Sequence, residues 1–136
     1  MMLYLLDTTG FSDLMREHPK MDAHLTGLAP EDRVVICPIV RGEVAYGIAR
    51  LPEGARRRAL ADRAARLFAN LACEPVPMAA ADRYAEVKLA RERQGLALDE
   101  NDLWIASTAL ALGAVLVSRD TDFKHIDGLT AEDWTA

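Results

Sequence analysis

Short apolar runs alternate with longer amphipathic stretches along this chain. Residues 3–6, 34–36 and 114–118 form apolar runs that are too short for helices, so we predict a strand at each. Residues 73–76, which have prolines at and beside them, predict a short edge strand or extended segment. The remaining stretches predict helices over residues 11–18, where Pro19 interrupts, and over 38–50, 55–71, 79–94 and 100–112. We expect turns and a short apolar element in the tail that leads to Trp134.

The order of these elements indicates the fold class. Strands that alternate with helices of this length favour an α/β fold, a three-layer α/β/α sandwich with a mostly parallel central sheet. The length of 136 residues fits one domain, and the sequence contains no internal repeat, low-complexity stretch or linker. We therefore predict a single domain over residues 1–136.

Composition, apolar runs and cysteine spacing indicate the class of protein and the compartment to expect. Hydrophobic residues make up 51% and charged residues 27% of the chain, which is typical of a globular protein. The first apolar run ends at Asp7 and is too short for a signal peptide, and no run approaches the ~20 residues that span a bilayer. Cys37 and Cys73 match no metal-binding spacing. We expect a cytoplasmic protein with reduced thiols and no membrane contact.

Charge is distributed unevenly along the chain. The formal net charge is -5, yet residues 1–98 carry 14 basic and 13 acidic side chains. Residues 99–136 carry only 2 basic side chains against 8 acidic ones. This distribution excludes a uniformly basic nucleic-acid coat, and it requires something that offsets the carboxylates near the C-terminus.

Four acidic residues lie either directly after a predicted strand or on the inward face of a predicted helix. Asp7 follows the first predicted strand and Asp120 follows the strand at 114–118, and the carboxyl ends of parallel strands meet at one edge of a sheet. Asp102 heads a helical stripe of small residues that indicates close packing, and Glu43 lies at the edge of a buried helix face. We expect the four carboxylates to converge at one end of the sheet.

Each acid also has a purely structural interpretation. Asp7 could cap the helix that follows it, and Asp102 lies in a first helical turn, where the helix dipole favours acids. Asp120 could be a turn residue, and Glu43 could be a partly exposed helix residue. The combination of all four favours a site over these separate explanations.

A cluster of carboxylates indicates a particular chemistry. Neighbouring carboxylates repel and raise each other's pKa unless a cation neutralises them. Oxygen ligands without paired histidine or cysteine point to Mg²⁺ or Mn²⁺. Such an ion lowers the pKa of a bound water and polarises a phosphoryl oxygen, so the natural reaction is hydrolysis of a phosphodiester. The chain has no GxGxxG, P-loop or GxSxG motif that would indicate a competing chemistry.

The same segments resemble a known family, the PIN-domain ribonucleases, and among them the VapC-type toxins of toxin–antitoxin pairs. The resemblance is strongest at residues 101–106 (NDLWIA) and 116–123 (LVSRDTDF), with Gly113 between them. It extends to residues 6–8, 40–43 and 126–129 and to Trp134, and so covers essentially the whole chain. The individual motifs are weak, but their order and spacing together are specific.

The resemblance implies roles for named residues. Asp7, Glu43, Asp102 and Asp120 would form the catalytic quartet that binds Mg²⁺ or Mn²⁺, and Thr8 and Ser118 match hydroxyl positions that support the site. Asp99 and Asp122 are additional acids nearby that depart from the family pattern and are also candidates for a supporting role. Asp122 could replace Asp120 as the fourth acid, although Asp120 is nearer the strand end. Thr9 stands where the family often has Asn, so the resemblance leaves one supporting hydrogen bond open. The family also implies a homodimer, an RNA substrate and inhibition by a VapB-like antitoxin that enters the site.

Basic residues and alternative functions complete the hypothesis. We predict that Arg119 contacts an RNA phosphate or the antitoxin, and that Arg56 and Arg57 guide the RNA backbone, although their helix face could simply be solvated.

One alternative function is a non-catalytic, metal-stabilised module that binds RNA or protein. Another is a phospho-acceptor receiver domain built around Asp7, which would leave Glu43 and Asp102 unexplained.

Overall fold

The computed structural model describes residues 1–136, which form five strands and six α-helices. The strands are β1 (Leu3–Leu6), β2 (Arg33–Ile36), β3 (Ala72–Cys73), β4 (Val115–Val117) and β5 (Ala131–Glu132). The helices are α1 (Thr8–Met15), α2 (Pro19–Thr26), α3 (Pro38–Ala49), α4 (Ala55–Asn70), α5 (Ala79–Arg93) and α6 (Glu100–Leu112). A 3₁₀ helix at Thr121–His125 follows β4. No helix has both the length and the apolar character needed to cross a membrane.

The five strands form one parallel sheet in the order β3-β2-β1-β4-β5. The predicted α/β class is therefore confirmed. The chain builds outward from β1 through β2 to β3, then crosses back to place β4 on the other side of β1. Because such crossovers are almost always right-handed, α1 to α4 cover one face and α5 and α6 cover the other. The reversal beside β1 opens a crevice at the carboxyl ends of β1 and β4.

Buried apolar side chains fill the space on both sides of the sheet. Leu5, Ile36 and Leu116 on the three central strands are fully buried, as apolar residues of parallel strands must be when helices cover both faces. Ala106 and Ala109 of α6 are also fully buried. The small side chains allow α6 to approach its neighbours closely, as the stripe beginning at Asp102 predicts.

Four parts of the secondary structure differ from the prediction. Helix α1 begins at Thr8 rather than near residue 11, because Asp7 caps it. Pro19 does not merely end a helix; it is the first residue of α2, a position that suits proline because no backbone N–H is needed there. The predicted edge strand at residues 73–76 is shorter and earlier, at Ala72–Cys73. In the tail, Ala131–Glu132 pairs with β4 as a fifth strand.

Candidate active site

Asp7 lies where β1 meets α1, and its carboxylate is held on both oxygens. Oδ1 accepts hydrogen bonds from the backbone N–H of Gly10 at 2.7 Å and from the Thr9 hydroxyl at 2.8 Å. Oδ2 accepts a hydrogen bond from the Ser118 hydroxyl at 2.5 Å. The side chain is only 2% exposed. Asp7 is therefore both a helix cap and the buried acid at the end of the central strand.

Ser118 connects Asp7 to the next predicted acid. Its hydroxyl oxygen also accepts a hydrogen bond from the backbone N–H of Asp120 at 3.0 Å. The Asp120 carboxylate in turn accepts the N–H of Asp122 at 2.9 Å and caps the 3₁₀ helix. A continuous set of hydrogen bonds thus runs from the end of β1 to the loop that follows β4.

Glu43 reaches the site from α3. Its Oε1 accepts a hydrogen bond from the Thr8 hydroxyl at 2.6 Å, and the residue is half-buried. The half-buried position agrees with the prediction for the edge of the helix face. Thr8 precedes the residues that bind Asp7, so the first turn of α1 contacts two of the four acids.

Asp102 differs from the other three acids because its carboxylate accepts no hydrogen bond from the protein and forms no ion pair. Its pKa is raised from 3.8 to about 7, mainly by burial and also by the negative charges of four other acids. In decreasing order of effect these are Asp99, Glu43, Asp7 and Asp120. The charges of the other three predicted acids therefore all act on Asp102.

Burial and hydrogen bonding act in opposite directions on the pKa of the Asp7 carboxyl. Burial raises the pKa of its carboxyl, while the hydrogen bonds from Ser118, Gly10 and Thr9 lower it and the charge of Asp120 raises it again. The net direction is upward. Hydrogen-bond donors to the carboxylate favour its charged form, so the three donors partly offset the cost of burial.

The two supporting acids occupy different places. Asp99 caps α6 by accepting the N–H of Asn101 at 3.1 Å, and its charge is the largest electrostatic influence on Asp102. Asp122 is exposed, whereas the charge of Asp120 helps to raise the pKa of both Asp7 and Asp102. Of the two candidates for the fourth acid, Asp120 is therefore the one coupled to the cluster.

The predicted arginines are distributed unequally around the site. Arg119 Nε forms an ion pair with Asp13 Oδ2 at 3.0 Å, and its side chain is 46% exposed. Arg56 lines a groove of about 570 Å³ between α1, α3 and α4 that begins at Thr8 and Glu43. Arg16 and Arg63 line the same groove, whereas Arg57 does not. The groove joins the acidic cluster to a basic surface.

The chemistry of the donors suits a hard divalent cation. All the clustered groups are carboxylates and hydroxyls, without histidine or cysteine. As the side chains are arranged, however, no three of the acidic, histidine or cysteine side chains lie close enough together to hold an ion. Mg²⁺ is commonly held by one or two carboxylates, with water and substrate phosphate completing its coordination, so this arrangement fits that mode of binding.

Two residues of the site, Gly10 and Asp13, escaped the sequence-based prediction. Gly10 is required because a Cβ there would lie 2.9 Å from the carbonyl oxygen of Val117, and its position three residues after a capping aspartate is the signal that could have revealed it. Thr9, which the sequence did single out as a departure from the family pattern, donates a hydrogen bond to Asp7. Asp13, 6% exposed, partners Arg119 across 106 residues of chain, a pairing that no local pattern indicates.

Comparison with known proteins adds relatives that match nearly the whole chain. The PIN domain pattern matches residues 4–129. Ribonuclease VapC1 of Haemophilus influenzae (strain R2866) is 33% identical over 140 residues, which cover 98% of this chain and 99% of the relative. Ribonuclease VapC2 of Rickettsia felis is 30% identical over 135 residues, with 98% of each chain covered.

Solved structures show the same architecture. A chain of VapBC2 from Rickettsia felis, bound to a DNA fragment from its promoter, superposes with a TM-score of 0.88 at 28% identity, covering 98% of this chain and 99% of the other. A chain of VapBC-1 from nontypeable Haemophilus influenzae also gives 0.88 at 28% identity, with coverage of 99% and 100%.

Proposed function

Since this chain belongs to the PIN domain family, we propose that it is an Mg²⁺- or Mn²⁺-dependent endoribonuclease toxin that a VapB-like antitoxin neutralises. The family assignment rests on the match over residues 4–129 and on VapC relatives that are at least 30% identical over nearly the whole chain. The observation that carries the catalytic part of the proposal is the coupling of Asp102 to Asp7, Glu43 and Asp120 at the carboxyl end of the sheet.

Asp102 and Asp7 are the residues we propose as the principal metal ligands. Asp102 has no competing hydrogen bond, and the negative charges around it favour a cation. A bound Mg²⁺ or Mn²⁺ would supply a water of lowered pKa and a Lewis acid for a phosphoryl oxygen. The hydrogen bonds of Thr9, Gly10 and Ser118 hold the Asp7 carboxylate in one orientation, which limits the reorganisation needed when substrate arrives.

Glu43 and Asp120 have secondary roles in this proposal. Both carboxylates contact protein donors, the Thr8 hydroxyl and the Asp122 N–H respectively. Their charges still act on Asp102. They therefore orient water at the site and increase its negative potential, which attracts the cation. No histidine is needed as a general base in this scheme.

We propose that RNA approaches along the basic groove. Arg56, Arg63 and Arg16 line it beside Thr8 and Glu43, and cations along a groove attract a phosphate backbone. Arg119 is tied to Asp13, but nearly half of its side chain remains exposed beside Asp120, so it can contact a phosphate or an acidic group of the antitoxin. The solved relatives are described as VapBC proteins, which supports a VapB-like partner for this chain. The homodimer expected from the resemblance is part of the proposal.

The decisive experiment compares Asp7→Asn and Asp102→Asn with Asp127→Asn. Asp127 is an exposed acid outside the cluster and serves as the matched control. Antitoxin-free proteins are incubated with labelled RNA, with Mn²⁺ or with EDTA. We expect cleavage by the wild type and by the Asp127 variant only with metal, and none by the other two variants despite unchanged circular dichroism.

Each alternative result has a distinct meaning. Wild-type cleavage by either cluster variant at saturating metal contradicts the assignment of that residue. Metal-dependent RNA binding without cut products would favour the non-catalytic module instead. The antitoxin is tested separately, because the product of the neighbouring reading frame should copurify with this chain and suppress its cleavage.

A further inference from the structure

Arg91 occupies an unusual position on α5. Ala80 and Val87 lie on the same face of the helix, and all three residues are buried, with Arg91 only 4% exposed. A helical stripe of this kind normally consists of apolar side chains that pack against the rest of the domain. At Arg91 the stripe instead contains a guanidinium.

The guanidinium has no acidic partner. Nη1 donates a hydrogen bond to the carbonyl oxygen of Asp122 at 3.3 Å, and Nη2 donates one to the carbonyl oxygen of Ala97 at 3.1 Å. Nε is buried without any partner. Burying a charge without a counter-ion is costly, and an apolar side chain of similar volume is commonly as stable or more stable. Stability alone therefore does not account for arginine here.

The two carbonyls belong to the two segments that present the acids of the site. Ala97 lies in the loop that enters α6, two residues before the capping Asp99 and five before Asp102. Asp122 lies in the 3₁₀ helix that Asp120 caps, and its N–H binds the Asp120 carboxylate. The planar fork of one guanidinium thus spans the start of α6 and the loop after β4.

We propose that Arg91 is a positioning residue that sets the separation between Asp102 and Asp120. It contacts neither substrate nor metal, and it acts through the two carbonyl groups. The effect on metal binding rests on the proposed function, whereas the effect on the two segments does not. Lysine cannot reproduce the effect because a single ammonium lacks the planar fork that reaches both carbonyls.

The test compares Arg91→Met and Arg91→Lys with Arg93→Met. Arg93 is on the same helix, is exposed and makes no ion pair, so it is the matched control. Amide hydrogen exchange is measured at residues 97–103 and 120–126 in the metal-free proteins. Mn²⁺ affinity is measured by calorimetry, and the thermal midpoint by circular dichroism.

We expect Arg91→Met to keep or raise the thermal midpoint while exchange in both segments accelerates at least tenfold and Mn²⁺ affinity falls about tenfold. Arg91→Lys should change exchange and Mn²⁺ affinity in the same way, without the gain in thermal midpoint because its charge stays buried, and Arg93→Met should behave like the wild type. Unchanged exchange in both segments would overturn the proposal. So would a fall in Mn²⁺ affinity explained entirely by loss of folded protein. If Arg91→Met does not fold, Arg91→Lys is judged by the same criteria.

The failure of the proposed function is recognisable separately. A wild-type protein that binds no Mn²⁺ and cuts no RNA would refute the nuclease assignment. The exchange measurements would still decide whether Arg91 holds the two segments.

Discussion

The hydroxyl of Ser118 donates a hydrogen bond to Oδ2 of Asp7 at a distance of 2.5 Å, although 111 residues separate them in the chain. The parallel pairing of Leu6 with Val117 brings the ends of β1 and β4 side by side, so the next residue of each strand enters the same crevice. The same hydroxyl accepts the N–H of Asp120 at 3.0 Å. One small polar side chain thus joins two acids of the cluster.

Replacing Ser118 by Ala should shift the pH dependence of RNA cleavage. The hydroxyl favours the charged form of Asp7, so its loss should raise the pKa of that carboxyl further, in the direction in which burial already moves it. We expect the acidic limb of the pH–rate profile to move to higher pH, with a larger loss of rate at pH 6 than at pH 8.

Ser107→Ala is the control for the Ser118 variant. Ser107 is also buried, but its hydroxyl bonds the carbonyl of Leu103 within α6. Its removal should leave the profile unchanged. A Ser118→Ala variant with reduced rate but an unshifted acidic limb would contradict the assigned effect on Asp7.

The metal-free protein should lose stability as the pH rises, because the pKa of Asp102 is raised in the folded state. The folded protein holds the proton up to about pH 7, whereas an unfolded carboxyl releases it near 3.8. The contribution of Asp102 to the free energy of unfolding is therefore fully present below about pH 4, and it is lost as the pH rises through 7. The raised pKa of Asp7 acts in the same direction.

Asp102→Asn removes the titration of this carboxyl. In EDTA at pH 8 the variant should therefore be more stable than the wild type by roughly 1–2 kcal/mol, a value that is reduced because solvent screens the partly exposed carboxyl. Urea denaturation at pH 5 and pH 8 measures the difference, with Asp127→Asn as control. Equal pH dependence of the variant and the wild type would show that Asp102 ionises without cost. Added Mn²⁺ should stabilise the wild type at pH 8 more than the variant.

Gly10 should be intolerant of even a methyl group. A Cβ at this position would lie 2.9 Å from the carbonyl oxygen of Val117 and 3.4 Å from Oδ1 of Asp7. We expect Gly10→Ala to lower the free energy of unfolding by about 1–3 kcal/mol, because backbone must shift. Gly47→Ala has open space around its Cβ and lies inside α3, so it should be neutral or stabilising by up to about 1 kcal/mol. Equal effects of the two substitutions in urea denaturation would contradict this explanation.

Arg56 and Arg57 should contribute unequally to RNA binding. Arg56 lines the groove that begins at Thr8 and Glu43, whereas its neighbour Arg57 does not. Arg56→Ala should weaken binding several-fold at low salt and reduce the salt dependence by about one counter-ion, if it contacts one phosphate. Fluorescence anisotropy in EDTA, where cleavage is prevented, measures both quantities, and Arg57→Ala is the matched control. A larger loss from Arg57→Ala would exclude this groove as the RNA path.

Local patterns predicted most of the framework. The apolar runs identified β1, β2 and β4, because a short segment buried on both faces must be apolar throughout. The amphipathic stretches identified α3 to α6 to within a few residues. Pro19 was misjudged because proline is compatible with both the end of one helix and the first turn of the next.

The acids were predictable for a related reason. Asp7 and Asp120 follow strands, and the carboxyl ends of parallel strands share one edge of the sheet. The coupling of both acids to Asp102 agrees with that expectation. The structural interpretation of Asp7 as a helix cap is confirmed, and its catalytic role stays a prediction.

The sequence by itself determined most of the segments that become strands and helices and which acids lie at strand ends, since these depend on side-chain periodicity and local hydrogen bonding. Only the tertiary structure decided the partners: Ser118 for Asp7, Asp13 for Arg119, and two backbone carbonyls for Arg91. The strand Ala131–Glu132 likewise exists because β4 offers a free edge, not because its two residues favour it. Such contacts join residues far apart in the chain, and the order of strands in the sheet decides which of them meet.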